Sequence, residues 1–483
     1  MNDPVLIGID VGTTSVKAVM LTASGHRLAD FSARYPTHHP GPTRVEQDPD
    51  DWLRLVTSAL QGFAARAEAP RVAAICLTSQ VNTHVFVDRA LAPLAPAITW
   101  QDSRAARFAA RLEAKVSPAQ KTAWLGAPIP IDASHALARM AWMKATHPEV
   151  WRATAQVMLP RDYLLARLTG AVIGDPISAV GLVTPAQIYA EPLIALVPGA
   201  RKRLAPLQDP LSRAGAMLPG QPFAGTPVIT GMMDAWASLF GLGVASEGQA
   251  MYLSGTSEVL GLISQTVTGT PGVITFPRWA GITLHAAPTQ AGGASLDWVA
   301  RLLGQTPANL AASAAPITRS SPLFLPHLQG ERAPLWDATA RGTFAGLTSA
   351  TGPADLTAAV MEGVAFSARL AMQALQRSGD LTPQQIQTGG GGAGSDRWCQ
   401  IRADAFGRPF LRVEGRDPGA LGAAVMAGVG AGVIHDLARA TAAMIRTDRV
   451  FEADPKAAAL AQDRFALWQM LYAQIRPINA ALA

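Results

Sequence analysis

The chain has 483 residues, 49% hydrophobic and 16% charged, which is enough apolar material for the cores of two large domains. Its 40 basic and 35 acidic residues are spread along the whole length, without the basic and aromatic stripe that marks a nucleic-acid surface. The two cysteines, Cys76 and Cys399, lie far apart, which excludes a disulfide framework or cysteine metal site and favours a reducing compartment.

The apolar stretches do not predict a membrane protein. The N-terminus lacks the basic and then apolar order of a signal peptide. The uncharged stretch 419–434 is short for a membrane span, and its alanines and glycines favour a buried helix. We therefore expect a soluble, cytoplasmic protein that binds neither membranes nor nucleic acid. The sequence leaves the oligomeric state open, with a homodimer as one option.

The first half of the chain opens with strands around a polar turn. Apolar residues at 5–9 and 16–20 predict two strands, and 25–36 supplies a third. Asp48 as N-cap and Pro49 predict the start of a helix within 47–67. Further strands are predicted at 72–79, 83–88, 96–100 and 226–231, and helices over much of 104–167, including 135–151, and over 233–243.

The second half begins by repeating the polar turn. Residues 12–15 (Gly-Thr-Thr-Ser, the first Gly-Thr turn) and 255–257 (Gly-Thr-Ser, the second) each join two apolar strands. Because the repeat begins near the midpoint, it predicts two domains, 1–245 and 246–483. A helix over 353–379, a strand at 385–390 and helices beginning near 396 and 418 follow.

The residues of these turns favour phosphate binding. Successive backbone N–H groups in a tight turn form an anion site, and threonine hydroxyls add donors. Lys17 can neutralise phosphate charge, and Asp10 can orient a hydrated Mg²⁺. There is no GxxxxGK[ST] motif, the spacing from Gly8 to Gly12 is not that of GxGxxG, and these turns join strand to strand. The glycine run at 389–392 lies between a strand and a helix, where a nucleotide can approach the backbone.

Taken together, these stretches resemble the FGGY family of carbohydrate kinases, closest to its xylulokinase-like branch. The stretches that carry the resemblance keep the family's order along nearly the whole chain. They are "IGIDVGTTSVKAV" (7–19), "ITWQDSRA" (98–105), "LPRDYLLARLTG" (159–170), "GMMDAWASLFGLG" (231–243), "YLSGTSEV" (252–259), "PLFLPHLQGERAPLWDATARGTFAGLT" (322–348), "GGGAGSDRWCQIRADAFGRP" (390–409) and "GALGAAVMAGVGAGV" (419–433).

The resemblance implies an α/β fold of two actin-like ATPase (ribonuclease H-like) domains with a cleft between them. It implies ATP and Mg²⁺ as cofactors, with Mg²⁺ near Asp10 and Asp234 and held through water. The residues that it assigns to ATP and its phosphates are Asp10, Gly12, Thr13, Thr14, Lys17, Gly255, Thr256, Gly390, Gly391, Gly392, Ala393 and Ser395.

By the same resemblance, Asp234 is the catalytic base that accepts the proton of the attacking sugar hydroxyl. From its position alone, Asp234 also suits a helix N-cap. The residues that the resemblance assigns to the sugar are Gln80, Val81, Asn82, Trp100, Asp102 and Asp234. Gln80-Val81-Asn82 stands where the branch has Gln-Met-His, and Ala235 stands where the family often has Asn or Gln, so both departures affect the acceptor.

The resulting hypothesis is an ATP-dependent kinase that phosphorylates a terminal hydroxyl of a small sugar, with D-xylulose first among the ketopentoses. Another pentulose, a tetritol or glycerol is the alternative acceptor. An actin-like nucleotide switch or a catalytically silent sugar sensor is the alternative of another class. The presence of Asp10, Asp234 and both Gly-Thr turns favours the kinase over either of them.

Overall fold

The computed structural model describes residues 3–415 and 417–482. The strands are β1 Val5–Val11, β2 Ser15–Thr22, β3 Arg27–Arg34, β4 His38–Gly41, β5 Arg44–Gln47, β6 Val72–Ser79, β7 Val85–Val87, β8 Ala97–Ile98, β9 Gln156–Met158, β10 Arg213–Ala216, β11 Pro227–Ile229, β12 Ala250–Ser254, β13 Glu258–Ser264, β14 Ile274–Thr275, β15 Thr283–Pro288, β16 Leu323–Leu325, β17 Thr343–Ala345, β18 Ile386–Gly389, β19 Phe410–Val413 and β20 Thr447–Phe451.

The α-helices are α1 Pro49–Ala64, α2 Ala106–Glu113, α3 Pro118–Leu125, α4 Ala136–Thr146, α5 Pro148–Ala153, α6 Pro160–Thr169, α7 Glu191–Ile194, α8 Asp234–Gly241, α9 Gly293–Leu302, α10 Pro307–Ser313, α11 Pro353–Gly379, α12 Asp396–Phe406, α13 Pro418–Gly430, α14 Leu437–Met444 and α15 Pro455–Leu482. Short 3₁₀ helices lie at Ala69–Arg71, Arg201–Arg203 and Gly391–Gly394. Within the described ranges, no helix has the length and apolarity to cross a bilayer.

The chain forms two compact units. The first contains residues 1–241 and 417–444, and the second contains 242–416 and 445–483. The division at Gly241 lies close to the boundary predicted at residue 245. The second predicted domain also included 417–444, whereas the contacts of α13 and α14 place this segment in the first unit. Sequence order could not indicate this return, because α13 is apolar on all sides and fits any buried position.

The sheet of the first unit has the order β10-β11-β6-β1-β2-β3. Strands β1 and β2 form the predicted hairpin, with Asp10 opposite Lys17. Strand β6 lies parallel to β1 on its other side, and β11 lies parallel to β6. Because the parallel strands end at the same edge, the residues that follow β1, β6 and β11 can meet there.

The sheet of the second unit repeats this arrangement in the order β14-β15-β13-β12-β18-β19-β20. Strands β12 and β13 form the second hairpin, with Ser254 opposite Glu258. Strands β18 and β19 continue the sheet in parallel, as β6 and β11 do in the first unit. The two mixed sheets with flanking helices confirm the predicted α/β class and its two-domain organisation.

Local sequence signals explain most element boundaries. Helix α1 begins at Pro49, and the Asp48 side chain accepts a hydrogen bond from the Asp50 N–H, as predicted. The stretch 135–151, which is predicted to be helical, forms two helices, α4 and α5, with His147 between them. Pro148 supplies no N–H and disfavours helical backbone at His147, so the first helix ends before it.

Helix α13 lies directly on the backbone of its neighbours, and glycines make this approach possible. A Cβ added at Gly422 would lie 1.6 Å from the carbonyl oxygen of Ala237 in α8. One added at Gly8 in β1 would lie 2.0 Å from the carbonyl oxygen of Ala420. Such distances are shorter than any van der Waals contact. Glycine is therefore required on both sides of this packing.

We predict that Gly422→Ala lowers the free energy of unfolding by about 3 kcal/mol, because the new methyl group forces α13 away from α8. The urea midpoint, followed by tryptophan fluorescence, measures the change. Gly62→Ala in α1 is the control, since a Cβ there has no neighbour within 4 Å. It should raise stability by about 0.5–1 kcal/mol through helix propensity. Equal midpoints for the two variants would contradict the packing account.

Candidate active site

The two Gly-Thr turns have closely similar backbone geometry. In the first, the Gly12 N–H donates to the carbonyl oxygen of Ser15 at 3.1 Å. In the second, the Gly255 N–H donates to the carbonyl oxygen of Ser257, also at 3.1 Å. Thr14 and Thr256 are exposed at the tips, so their hydroxyl groups are available to a ligand. The predicted repeat thus exists as two strand-to-strand turns, one in each unit.

Asp10 ends β1 in an environment that disfavours its charge. Its Oδ1 is buried and has no hydrogen-bond partner among residues 3–415 and 417–482. A Cβ at Gly419, in the first turn of α13, would lie 2.5 Å from Asp10 Oδ2, so this helix closes over the carboxyl group. Burial, and then the charge of Asp234, raise the pKa of Asp10 to about 7, although Lys17 opposes the shift.

Asp234 is the first residue of α8, after the end of β11. Its Oδ1 accepts a hydrogen bond from the Ala235 N–H at 2.8 Å, as a carboxylate at a helix start often does. Burial raises the pKa of Asp234 to about 6, and this backbone hydrogen bond limits the rise. In the folded chain the charge of Asp234 raises the pKa of Asp10, although Asp10 lies 224 positions earlier in the sequence.

Lys17 lies opposite Asp10 in the hairpin and forms an ion pair with Asp417, with Nζ 2.9 Å from Oδ1. Asp417 immediately precedes α13, so this ion pair connects the first hairpin to the start of that helix. Lys17, the predicted phosphate-binding cation, therefore lies beside Asp10 and Asp417. The ion pair with Asp417 partly neutralises its charge.

The residues predicted to bind the acceptor follow β6. Gln80 is buried, and Val81 and Asn82 are partly exposed. Asn82 has a left-handed backbone (φ 55°), and its Nδ2 donates to Ser134 Oγ at 3.3 Å. Trp100 reaches the first Gly-Thr turn, where its Nε1 donates to Thr13 Oγ1 at 3.0 Å. These four residues and Thr13 all belong to the first unit.

Asp102 occupies a different environment. It is buried, and its carboxylate accepts from the backbone N–H groups of Val45 and Arg104. The Arg104 guanidinium also donates to both carboxylate oxygens. With both oxygens engaged, Asp102 fixes the segment that carries Trp100, and the geometry gives its assignment to the acceptor no support.

A small cavity adjoins Asn82, with a volume of about 50 Å³. Asp162, Asp175 and Ser178 are among its polar lining residues. The Arg161 guanidinium forms ion pairs with both carboxylates, which offsets their charge. Because one water molecule occupies about 30 Å³ in the liquid, the cavity is too small for a sugar.

The glycine run of the second unit follows β18 and continues into a 3₁₀ turn. Gly390 has a φ of 89°, which favours glycine, and a Cβ at Gly392 would lie 2.1 Å from Ser254 Oγ. Gly391 is exposed, which leaves its backbone open to a ligand. Ala393 is buried, and Ser395 is the N-cap of α12, where its Oγ accepts from the Trp398 N–H at 3.3 Å.

A buried arginine that the sequence analysis did not single out connects this glycine run to the second hairpin. Arg402 in α12 donates to the Gly392 carbonyl oxygen at 3.2 Å, to Ser254 Oγ at 2.6 Å and to Glu258 Oε1 at 3.3 Å. Burial raises the pKa of Glu258 to about 7, and Arg402 opposes the rise. The charged residue directly after Gly255-Thr256-Ser257 was the available signal, but its partner lies 144 positions away.

Tyr35 and Gln47 were also missed. The Tyr35 hydroxyl donates to the Gly12 carbonyl oxygen, and Gln47 Nε2 donates to the Thr13 carbonyl oxygen at 2.7 Å. Tyr35 directly follows β3 and Gln47 is the last residue of β5, and neither belongs to a motif. Their bonds fix the carbonyl oxygens of Gly12 and Thr13 in the first Gly-Thr turn.

The donor set agrees with Mg²⁺ held alongside phosphate rather than in a closed metal site. Among the described residues, no group of three or more His, Cys, Asp or Glu side chains is placed to hold a metal. Asp10 and Asp234 instead form a pair, and Asp10 Oδ1 is a buried acceptor without a donor. Mg²⁺ prefers one or two carboxylates together with water and phosphate oxygens.

The sequence matches known families over nearly its whole length. Residues 5–241 match the FGGY family of carbohydrate kinases, N-terminal domain, and residues 250–431 match the C-terminal domain. Xylulose kinase of Escherichia coli is 30% identical over 98% of this chain and 100% of its own length. Xylulose kinase of Klebsiella pneumoniae is 32% identical over 89% of this chain and 90% of its own.

Solved structures show the same fold. The crystal structure of xylulose kinase from Rhodospirillum rubrum aligns with a TM-score of 0.87 at 26% identity, over 99% of this chain and 100% of that one. The predicted actin-like ATPase fold is thereby confirmed. The two matched ranges span both Gly-Thr turns and Asp234.

The raised pKa of Asp10 gives a prediction for stability. An unperturbed aspartate has a pKa near 3.9, so between about pH 4 and pH 7 the folded state keeps a proton that the unfolded state releases. The contribution of Asp10 to stability therefore falls as the pH rises through this range. Asp10→Asn, which carries no charge, should raise the melting temperature at pH 8 by about 2–4 °C or more and have a smaller effect at pH 4.

Differential scanning calorimetry at both pH values measures this difference. Asp463→Asn, at an exposed position in α15, is the control for loss of one negative charge. An Asp10→Asn variant that is less stable than the wild type at pH 8 would contradict the account.

Proposed function

Because the chain belongs to the FGGY family of carbohydrate kinases and is an ATP-dependent sugar kinase, we propose that it phosphorylates a terminal hydroxyl of a ketopentose, D-xylulose first. The observation that carries this proposal is similarity to xylulose kinases over nearly the full length of the chain. It is found both with curated sequences and with solved structures. The chain keeps a candidate base and two phosphate turns, which a nucleotide switch or a silent sensor does not need in combination.

Asp234 is the proposed general base. Its carboxylate accepts the proton of the acceptor hydroxyl as that oxygen attacks phosphorus. A pKa near 6 leaves the carboxylate ionised at neutral pH but more basic than an exposed aspartate. The hydrogen bond from the Ala235 N–H fixes one carboxylate oxygen, so the helix start both orients the base and limits its pKa.

The two Gly-Thr turns are the proposed phosphate contacts. Their backbone N–H groups and the hydroxyls of Thr13, Thr14 and Thr256 supply donors, and Lys17 supplies positive charge. Gly12 and Gly255 keep the approach open. The exposed Gly391 and the adjoining glycines are the proposed surface for the adenosine, together with Ala393 in the same 3₁₀ turn and Ser395 at the N-cap of α12.

Asp10 and Asp234 are the carboxylates that we propose to lie near Mg²⁺. They would contact the ion through water molecules. Bound Mg²⁺·ATP would supply the phosphoryl group and neutralise its charge. Asp10 contributes a carboxylate whose ionisation is unfavourable without a nearby cation, because it is buried beside another carboxylate. The observation that fits this role is that Asp10 Oδ1 has no hydrogen-bond partner among the described residues.

For the acceptor, we propose contacts with Gln80, Asn82 and Trp100, with Val81 in van der Waals contact. The amide of Asn82 both donates and accepts, which suits the hydroxyl groups of a polyol. The side chains of Val81 and Ala235 have no polar atoms that could bind the acceptor. Specificity among small sugars therefore depends on the amide groups of Gln80 and Asn82. Another pentulose, a tetritol or glycerol remains the alternative acceptor.

An acceptor panel tests the proposed reaction. Purified protein with Mg²⁺·ATP is assayed for ADP release with ketopentoses, hexoses, tetritols, glycerol or no acceptor. We expect D-xylulose to give the largest kcat/KM and the no-acceptor rate to be far lower. Strong stimulation by a tetritol or by glycerol instead would overturn the ketopentose assignment. A rate independent of every acceptor would overturn the kinase mechanism.

Replacing the base gives a second prediction. Asp234→Asn should lower kcat by about 10²–10⁴-fold while the affinity for Mg²⁺·ATP changes little, because the amide cannot accept the proton. In the wild type, kcat/KM should fall as the pH drops through about 6, since protonated Asp234 is no longer a base. Titration of nucleotide fluorescence and a pH–rate profile measure the two effects. A fully active Asp234→Asn variant would refute the assignment.

A further inference from the structure

A hydrogen-bonded relay joins the acceptor segment to the first Gly-Thr turn through Gln47. This side chain is completely buried at the end of β5. Its Nε2 donates to the Thr13 carbonyl oxygen at 2.7 Å and to Thr37 Oγ1 at 2.9 Å. Its Oε1 accepts from Gln80 Nε2 at 2.8 Å. Gln80 is itself 1% exposed and directly precedes Val81 and Asn82.

The chemistry of the groups gives this relay a direction. A carbonyl oxygen can only accept, so Gln47 must present its NH₂ group to Thr13. The Gln47 oxygen then faces Gln80, which must present its own NH₂ group in turn. Gln80 Oε1 is left buried, without a donor among residues 3–415 and 417–482. The group that completes the relay must therefore be a hydrogen-bond donor.

We propose that Gln47 is a positioning residue that couples binding of the acceptor at Gln80 to the placement of Thr13 and Thr14. The inference rests on the proposed function, because a sugar hydroxyl is the donor that would complete the relay at Gln80 Oε1. With that bond made, the orientations of both amides are fixed and the Thr13 carbonyl oxygen is held at one position. A buried acceptor without a donor is unfavourable, so completing the hydrogen bond favours the ordered arrangement.

Trp100 provides a parallel connection. Its Nε1 donates to the hydroxyl of the same threonine, while Gln47 donates to its carbonyl oxygen. Thr13 is thus held at two atoms by residues that connect it to the acceptor segment. Phosphoryl transfer depends on alignment, and a displacement of about 1 Å can cost about 10²-fold in rate. This coupling would make transfer efficient with a sugar bound and slow with water alone.

Gln47→Glu tests the coupling. Glutamate keeps the length of the side chain and still accepts from Gln80 Nε2, but it sets a carboxyl oxygen against the Thr13 carbonyl oxygen. The measured quantity is the ratio of the ADP formation rate with saturating D-xylulose to the rate without acceptor. This ratio does not depend on the fraction of folded enzyme, so a purely structural role would leave it unchanged. We expect it to fall about tenfold or more.

Gln61→Glu, at an exposed position in α1, makes the same chemical change and should keep the wild-type ratio. If Gln47→Glu does not fold, Gln47→Met removes all three side-chain hydrogen bonds at similar length without adding charge, and the same fall is expected. A wild-type ratio in the Gln47 variant would overturn the relay while the kinase proposal stands. A wild type whose ADP formation is not raised by any acceptor would overturn both.

Discussion

Burial of the Asp10 carboxyl group is the constraint on which the rest of the first unit depends. The group lies at the end of β1, with the first turn of α13 closed over it and the charge of Asp234 nearby. This closeness needs glycine at several packing positions, and within the described part of the chain it leaves Asp10 Oδ1 without a donor. Such an arrangement reduces the stability of the ligand-free protein and provides a carboxylate that a bound cation would stabilise.

Close packing also explains where the polar residues of the first unit lie. The parallel strands β1, β6 and β11 end at one edge, where Asp10 is the last residue but one of β1 and Gln80 and Asp234 follow β6 and β11. The helices and strands behind this edge are apolar and closely packed, so few side chains there can move. In the second unit, the buried Arg402 forms hydrogen bonds with both the glycine run and the second hairpin, and so connects the two.

The sequence predicted the repeated turns, because Gly-Thr between apolar strands is a local pattern that the backbone follows directly. It also predicted the α/β class and the start of α1. The helical periodicity runs through 135–151, but Pro148 divides this stretch into α4 and α5. The return of 417–444 to the first unit could not be predicted, because an apolar Ala/Gly helix carries no information about which sheet it covers. For the site, motifs identified residues at the turns, whereas Gln47, Tyr35 and Arg402 act through partners that lie 23 to 148 positions away in the chain.

Proton release on binding of Mg²⁺·ATP tests the central claim most directly. Isothermal titration calorimetry at pH 7, in two buffers with different ionisation enthalpies, gives the number of protons released. If burial holds the pKa of Asp10 near 7, the free protein carries about half a proton there, and a bound cation should displace it. The account predicts release of about half a proton by the wild type and none by Asp10→Asn. A wild-type binding enthalpy that is the same in both buffers would contradict it.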